Sequence, residues 1–540
     1  MSQRYDAVVI GGGHNGLTAA FYLARAGKSV VVLERRGIVG GACVTEEFHP
    51  GFRNSSCAFV MSYLRPEVIA DMELERRGLK ATGMRGGFHP LGDGRHMLFT
   101  GDRAHDDAEI GKFSNRDAAG LARLRGVLTG LADFMAQYVM KPPPALDAQA
   151  LRDKLAWLGF GWDLSKLEPE LRHRLMLILT GSVTGFLASY LESDEAMLPL
   201  ALSATSGSPL DIDGPATALR LVQNRLGQFD GVRGAWGLPM GGMGTITQLM
   251  ARAVRDKGGE IRVDAPVGQI LVEAGEAKGV RLMSGEEIRA SVVLSNADPK
   301  RTFLKLVPSG ALDDQFVADI EQYRCESQSF RMNLALSELP DFACLRGREP
   351  GPQHTGSIHI CPSLDYLRQA YRDARQGMWS RRPVIDAMIP SLFDDSLAPE
   401  GRHVMTVNAR FHPRHLSNGQ SWHDVKDEAA DHLIETLNDH APNFRRSVIG
   451  RLVLSPADLE EEYGLTGGDN FHGQILPSQI FHMRPHPRAS GYRTPLPNLY
   501  LCGSGAHPGG GVSGAPGHNA AQVVLGDLKG KSRLLWSVLL

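Results

Sequence analysis

Apolar residues near the amino end come in short unbroken runs, and that pattern predicts a buried sheet. Tyr5 to Ile10 and Ser29 to Leu33 each read as a strand apolar on both faces, as parallel strands covered by helices are. Between them Leu17 to Ala26 is amphipathic and stops at Gly27, a good helix terminator. The unit is strand, glycine turn, helix, strand, the order of a dinucleotide-binding fold.

Farther on, helical patterns cover Asp117 to Tyr138 and Leu171 to Leu179, and Lys141-Pro142-Pro143-Pro144 breaks the run between them. Gly185 to Ala204 reads as a largely apolar helix interrupted at Glu192 to Glu195. At Gly237-Leu238-Pro239-Met240-Gly241-Gly242-Met243-Gly244 the pattern changes and leads into a helix, Thr245 to Lys257. A β-rich stretch follows: Glu260 to Val263, Val267 to Val272, Gly279 to Met283, Glu287 to Ala290 and Val292 to Ser295. Asn498 to Cys502 is a last strand, Gly503 to Gly511 a glycine turn, and Gly517 to Leu528 a last helix. Strand-glycine-helix units thus stand at both ends, with a glycine-led segment between. The expected fold is α/β: a Rossmann-type domain assembled from three segments, 1–75, 236–305 and 470–540. Residues 76–235 and 306–469 form an inserted mixed α/β substrate domain.

The glycines carry the first chemistry. Gly11 lets the chain turn after the strand, Gly13 clears space for a pyrophosphate, and Gly16 lets the helix approach the sheet. The helix start at His14-Asn15 then presents free N–H groups and a positive dipole end to phosphate. Glu34, at the end of the second strand, suits ribose hydroxyls, with Arg35 beside it. Gly40-Gly41-Ala42 offers a second close backbone approach, and Gly503 to Gly514 a third. The expected cofactor set is Gly11, Gly13, His14, Asn15, Gly16, Glu34, Arg35, Gly40, Gly41, Ala42, Gly503, Gly511, Val512 and Ser513. From Asn470 to Gly526 there is no acidic residue, although Arg484, Arg488, Arg493, His482, His486 and His507 fall there. An acid-free basic segment suits phosphates and the anion of a reduced flavin, so FAD is the expected dinucleotide.

Composition narrows the rest. Lys and Arg total 58 against 60 Asp and Glu among 540 residues, a balance that excludes bulk nucleic-acid binding. The six cysteines contain no CxxC pair, so neither a zinc site nor a redox dithiol is expected and a reducing, cytoplasmic-type compartment fits. No metal site is expected: His482 and His486 are separated by Pro485, which breaks the helix that their spacing needs. No second GxGxxG unit offers a nicotinamide site. No run is long enough to span a bilayer. The basic apolar tail, Lys529 to Leu540, suits contact with a membrane surface, with the body of the protein or with a second subunit.

The run Gly11-Gly12-Gly13-His14-Asn15-Gly16-Leu17 with Glu34 and Gly40-Gly41 resembles the amino end of the phytoene desaturase-type flavoproteins. Gly503-Ser504-Gly505-Ala506-His507-Pro508-Gly509-Gly510-Gly511-Val512-Ser513-Gly514 is similar to their carboxyl-end signature. Tyr190 to Asp194 and Ser295 to Pro299 fit the same picture. Two branches are closest: the O-type carotenoid ketolases and the pyridine nucleotide-disulphide oxidoreductase domain-containing protein 2 group. The resemblance implies FAD, an enclosed or lipid-accessible substrate domain, and Val267 offering its backbone to the adenine. The second branch implies the mitochondrial matrix for a eukaryotic chain.

The expected activity is two-electron oxidation or desaturation of a mainly apolar, carotenoid- or lipid-like substrate, with hydride passing to the flavin. His507 is the expected proton-transfer residue and Arg484 the group that positions substrate or supports the flavin anion. A flavin amine or amino-acid oxidase, and a flavoprotein that chiefly binds a partner, are the competing readings.

Overall fold

The computed structural model describes residues 4–146 and 151–538. Its first sheet is built from both ends and the middle of the chain. In spatial order it runs Glu260–Arg262, Val30–Leu33, Arg4–Ile10 and Glu287–Ser295. These four are parallel, Ala7 lying beside Val30 on one side and Val292 on the other. Leu499–Leu501 pairs in parallel with the second half of Glu287–Ser295, whose first half pairs antiparallel with Glu276–Leu282. Val267–Glu273 completes the edge. The β-rich stretch expected to contain two strands across 287–295 is therefore one long strand with two successive partners.

The two-sided burial has a visible cause. The helix His14–Arg25 packs against both Gly244–Asp256 and Ala515–Val538, and Val8, Val9, Val31 and Val32 have no exposed surface. The last helix is longer than Gly517 to Leu528. Its backbone continues to Val538, while side chains from Gly530 onward lie outside the described residues, and with them the expected contact of the apolar tail.

A second sheet takes its strands from the two intervening stretches. Its order is Val448–Leu454, Phe330–Leu336, His403–Ala409, Ile385–Met388, Ser357–Ile360, Gly87–Pro90 and His96–Phe99. Alternation along these strands is strict. Phe330, Met332, Leu334, Met405, Val407, Ile358 and Ile385 turn to one face and join a core with the helix Trp422–His440. Arg331, Asn333, Thr406, Asn408, Asp386 and His359, the intervening residues, turn to the other. Helices form a third core, centred on Asn115–Ala136 and Asp194–Thr205. The apolar stretch before residue 205 is two helices, Val183–Ala188 and Asp194–Thr205, the second capped by the Ser193 hydroxyl.

Candidate active site

The glycine turn after Arg4–Ile10 is as crowded as a phosphate cradle must be. A Cβ at Gly16 would lie 2.2 Å from the Gly11 carbonyl oxygen, so only glycine lets the helix begin there. A Cβ at Gly40, where φ is +136°, would lie 2.5 Å from the Cys43 carbonyl. The Gly40 N–H donates to Gly12 O at 2.9 Å, so the two glycine turns hold one another, and Gly41 lies against Gly13. Glu34 is buried. Its two oxygens accept from the N–H groups of Gly12 and Arg36, at 2.8 and 2.9 Å. Each carboxylate oxygen has a further lone pair for a ribose hydroxyl.

The carboxyl end closes this cradle. His14 Nε2 donates to Gly511 O at 3.1 Å and Asn15 Nδ2 to Ser504 Oγ at 3.1 Å. A Cβ at Gly503 would lie 2.6 Å from Asn296 O. Ser513 Oγ accepts from the Ala515 N–H and starts the last helix. Val267 begins an edge strand and is half-buried. The buried atoms on this side with no hydrogen-bond partner include Asn15 Oδ1 and Arg36 Nη1. The tight glycines, the free helix start, the half-used carboxylate and the two orphaned polar atoms fit a bound dinucleotide.

Several expected residues are placed otherwise. Arg35 donates to the carbonyls of Glu461 and Glu462, whereas Arg36, which sequence reasoning passed over, sits between Glu46 and the Tyr463 ring. Arg484 has no exposed surface. Its three nitrogens donate to the carbonyls of Ser504, Gln474, Gln479, Phe471 and Gly473 at 2.8 to 3.2 Å. A guanidinium so engaged has no donor left for a substrate or a flavin; it ties the 471–484 loops to the glycine turn. His507 does not line the cavity described below. Its Nε2 donates to Tyr138 O at 2.9 Å and its ring meets Phe481 edge-on.

Burial holds His507 and His14 down at about 4, His472 adding to the effect at His14; burial does the same at His412. Unfolded histidine titrates near ~6.5. Each folded value is depressed, so the unfolded chain binds more protons between the two values, and stability is lost as pH falls from ~6.5 towards ~4. The expected slope is up to about 1.4 kcal/mol per pH unit for each histidine. Urea midpoints measured from pH 7 to pH 5 should fall steadily; a flat series contradicts neutral burial.

A cavity of about 660 Å³ separates the glycine cradle from the polar face of the second sheet. His14, Ala42, Cys43, Gly511 and Val512 line it on the cradle side. On the opposite wall a row of polar residues crosses the strands: Arg331 beside Asn408, Asn408 beside Asp386, Asp386 beside His359. His89 stacks on His359 with ring centres 4.6 Å apart. Asp386 accepts from Arg410 Nε and Nη2, at 2.6 and 2.7 Å, and from His359 Nδ1 at 2.7 Å. Burial pushes its carboxyl up, but Arg410 and His359 outweigh that and hold it at about 2. His359 Nε2 lies 2.8 Å from Ser357 Oγ. Toward the carboxylate of Asp386, Nδ1 donates.

This wall was missed. Its signal was the alternation in Phe330-Arg331-Met332-Asn333-Leu334 and Met405-Thr406-Val407-Asn408-Ala409-Arg410, which places polar groups on one buried face. The six cysteines are free thiols, and burial pushes those of Cys43 and Cys57 up, so neither is a thiolate nucleophile. Among the described residues no group of three or more His, Cys, Asp or Glu gathers as a metal site, and no helix is long and apolar enough to cross a membrane.

Comparison with known proteins agrees with this geometry. Residues 9–69 match the NAD(P)-binding Rossmann-like domain. Pyridine nucleotide-disulfide oxidoreductase domain-containing protein 2 of Rattus norvegicus is 38% identical, over 98% of this chain and 94% of its own. The neurosporene-forming phytoene desaturase of Cereibacter sphaeroides is 26% identical over 95% of this chain and 92% of its own. Among solved structures, cyclohexylamine oxidase from Brevibacterium oxydans IH-35A superposes with a TM-score of 0.56 at 15% identity, covering 97% of this chain and 99% of that one. Fold, cradle and relatives define the class of FAD-dependent oxidoreductases. Within it, the chain belongs to the family of pyridine nucleotide-disulfide oxidoreductase domain-containing protein 2.

Proposed function

We propose that the protein oxidises a C–H bond of a small, partly apolar substrate held in the cavity between the glycine cradle and the second sheet. The observation that carries this is the arrangement of one cavity with a dinucleotide cradle on one wall and a buried acid–base row on the other. Gly11, Gly13, Gly16 and Glu34 hold the adenosine and pyrophosphate of FAD, with Val267 at the adenine. Ala42, Gly511, Val512 and Ser513 hold its ring end. When bound, FAD supplies the acceptor for two electrons.

The chain's own part is position, dryness and a proton acceptor. Met84, Met388, Phe59, Val60 and Trp236 form an apolar wall. Beside them, on the sheet face that also carries Met388, His359 Nε2 is the acceptor for the proton that leaves as the C–H bond is broken, directly or through Ser357 Oγ. Asp386 fixes the ring and stabilises its charged form. This role passes to His359 from His507, whose ring bonds a helix end. The sheet wall is polar, which argues against a hydrocarbon tunnel for a whole carotenoid. The arginines on it argue against an ammonium substrate.

The purified protein should show flavin absorption near ~450 nm, and anaerobic addition of a true substrate should bleach it. Replacing His359 with Gln should keep FAD bound and slow the bleaching by about a hundredfold, a loss in kcat rather than in KM. Unchanged bleaching removes His359 from the mechanism.

A further inference from the structure

Arg331 is the odd residue on the polar wall. It is 5% exposed and reaches the cavity from the strand Phe330–Leu336. Its neighbour Arg410 is neutralised by Asp386. For Arg331, among the described residues, there is no ion-pair partner within 4 Å, and Nη1 has no hydrogen-bond partner at all. One face of the guanidinium lies over the Phe59 ring, 4.9 Å from its centre, so the planar edge is what remains for another group. Asn408 stands directly across the strand pair, and its Oδ1 is orphaned as well.

A buried cation without a counter-charge is costly, because desolvation is not repaid by any partner. The surroundings deepen the imbalance. Six arginines line the cavity, Arg85, Arg220, Arg225, Arg233, Arg331 and Arg410, against one carboxylate, Asp386. Asp386 is already held by Arg410 and His359, so no acid in the cavity is left for Arg331. An arginine fork with one face blocked by a ring and its edge open matches the two oxygens of a carboxylate. The Asn408 amide can turn to give its N–H to the same group.

We infer that Arg331 and Asn408 seat a carboxylate of the substrate, and that the compound oxidised is an amphipathic carboxylic acid. The acid end lies on the polar row and the apolar body lies along Met84, Met388, Phe59 and Trp236. The inference rests on the reading of this cavity as the substrate site, and it narrows the substrate from apolar to anionic at one end.

Calorimetric titration of the FAD-loaded protein with octanoate, octyl phosphate, octylamine and octanol tests it without turnover. Octanoate should bind at least about tenfold more tightly than octanol. Arg331→Met should abolish that preference and leave octanol unchanged, and Arg331→Lys should restore part of it. Should Arg331→Met not fold, Asn408→Asp gives the same answer, since the new carboxylate pairs with Arg331 and must weaken octanoate in the same way. Equal binding of octanoate and octanol, tighter binding of octyl phosphate, or an octanoate preference that survives Arg331→Met overturns the proposal. So does an Arg331→Met protein that keeps octanoate binding while its flavin potential moves, because Arg331 then serves the cofactor. Bleaching of the flavin is a separate readout; it fails if the oxidoreductase reading fails and leaves the calorimetric result standing.

Discussion

Replacing Glu34 with Ala should weaken FAD binding by about a thousandfold, since hydrogen bonds to a charged group are worth roughly 1.5–3 kcal/mol each and two ribose hydroxyls lose theirs. The variant should be isolated largely colourless and take up FAD only at high concentration. Two features of the structure make the effect larger than at an exposed carboxylate. Glu34 is 5% exposed, so its bonds are shielded from water, and it also fixes the Gly12 N–H that shapes the phosphate turn. Glu34→Gln separates these contributions: it keeps one acceptor and loses the charge, and should fall between wild type and Ala. The measurement is a titration of apoprotein with FAD. Equal affinity of Glu34→Ala and wild type would falsify the placement of the ribose at this carboxylate. The fold should survive, because the sheet core around Val8, Val31 and Val293 does not depend on the side chain.

The cradle was legible in the sequence because its requirements are local. A glycine turn, a helix start and an acidic residue at a strand end are each set by a few neighbours, and short runs such as Tyr5 to Ile10 admit one burial pattern. The meeting of both chain ends in one sheet was legible too, from glycine turns that needed a common ligand. The polar wall was not. Arg331, Asn408, Asp386 and His359 come from four strands spread over residues 330–409, and only the register of those strands puts them in a row. Charge and residue type misled for the same reason. Arg484 and His507 stand in a basic, acid-free stretch, which reads as a site for anions. Their actual partners are backbone carbonyls, and carbonyls leave no trace in composition. The helix break before Asp194 is an intermediate case: Glu192 to Glu195 marked the interruption, but not that Ser193 starts a new helix there.

Arg484→Met should therefore be a stability variant rather than a catalytic one. Five residues present their carbonyls to this guanidinium in a space with no exposed surface. Methionine fills most of the volume but leaves those acceptors unpaired, at roughly 1–3 kcal/mol for each that water cannot reach. Even with partial relaxation the loss should be about 5 kcal/mol, among the largest expected for a single substitution, and Tm should fall by about 4–5 °C. Arg484→Lys should be nearly as harmful, because one ammonium cannot span the carbonyls of Phe471, Gln479 and Ser504 together. The two readings of the residue part cleanly in one pair of measurements, thermal unfolding and the rate of anaerobic flavin reduction on the surviving folded fraction. A structural clamp predicts that drop in Tm with the rate per bound FAD nearly kept. A group acting on substrate or flavin predicts the reverse, a protein that melts normally and reduces slowly. The orientation of all three nitrogens toward carbonyls favours the first outcome, and a normal Tm for Arg484→Met would return the residue to the mechanism.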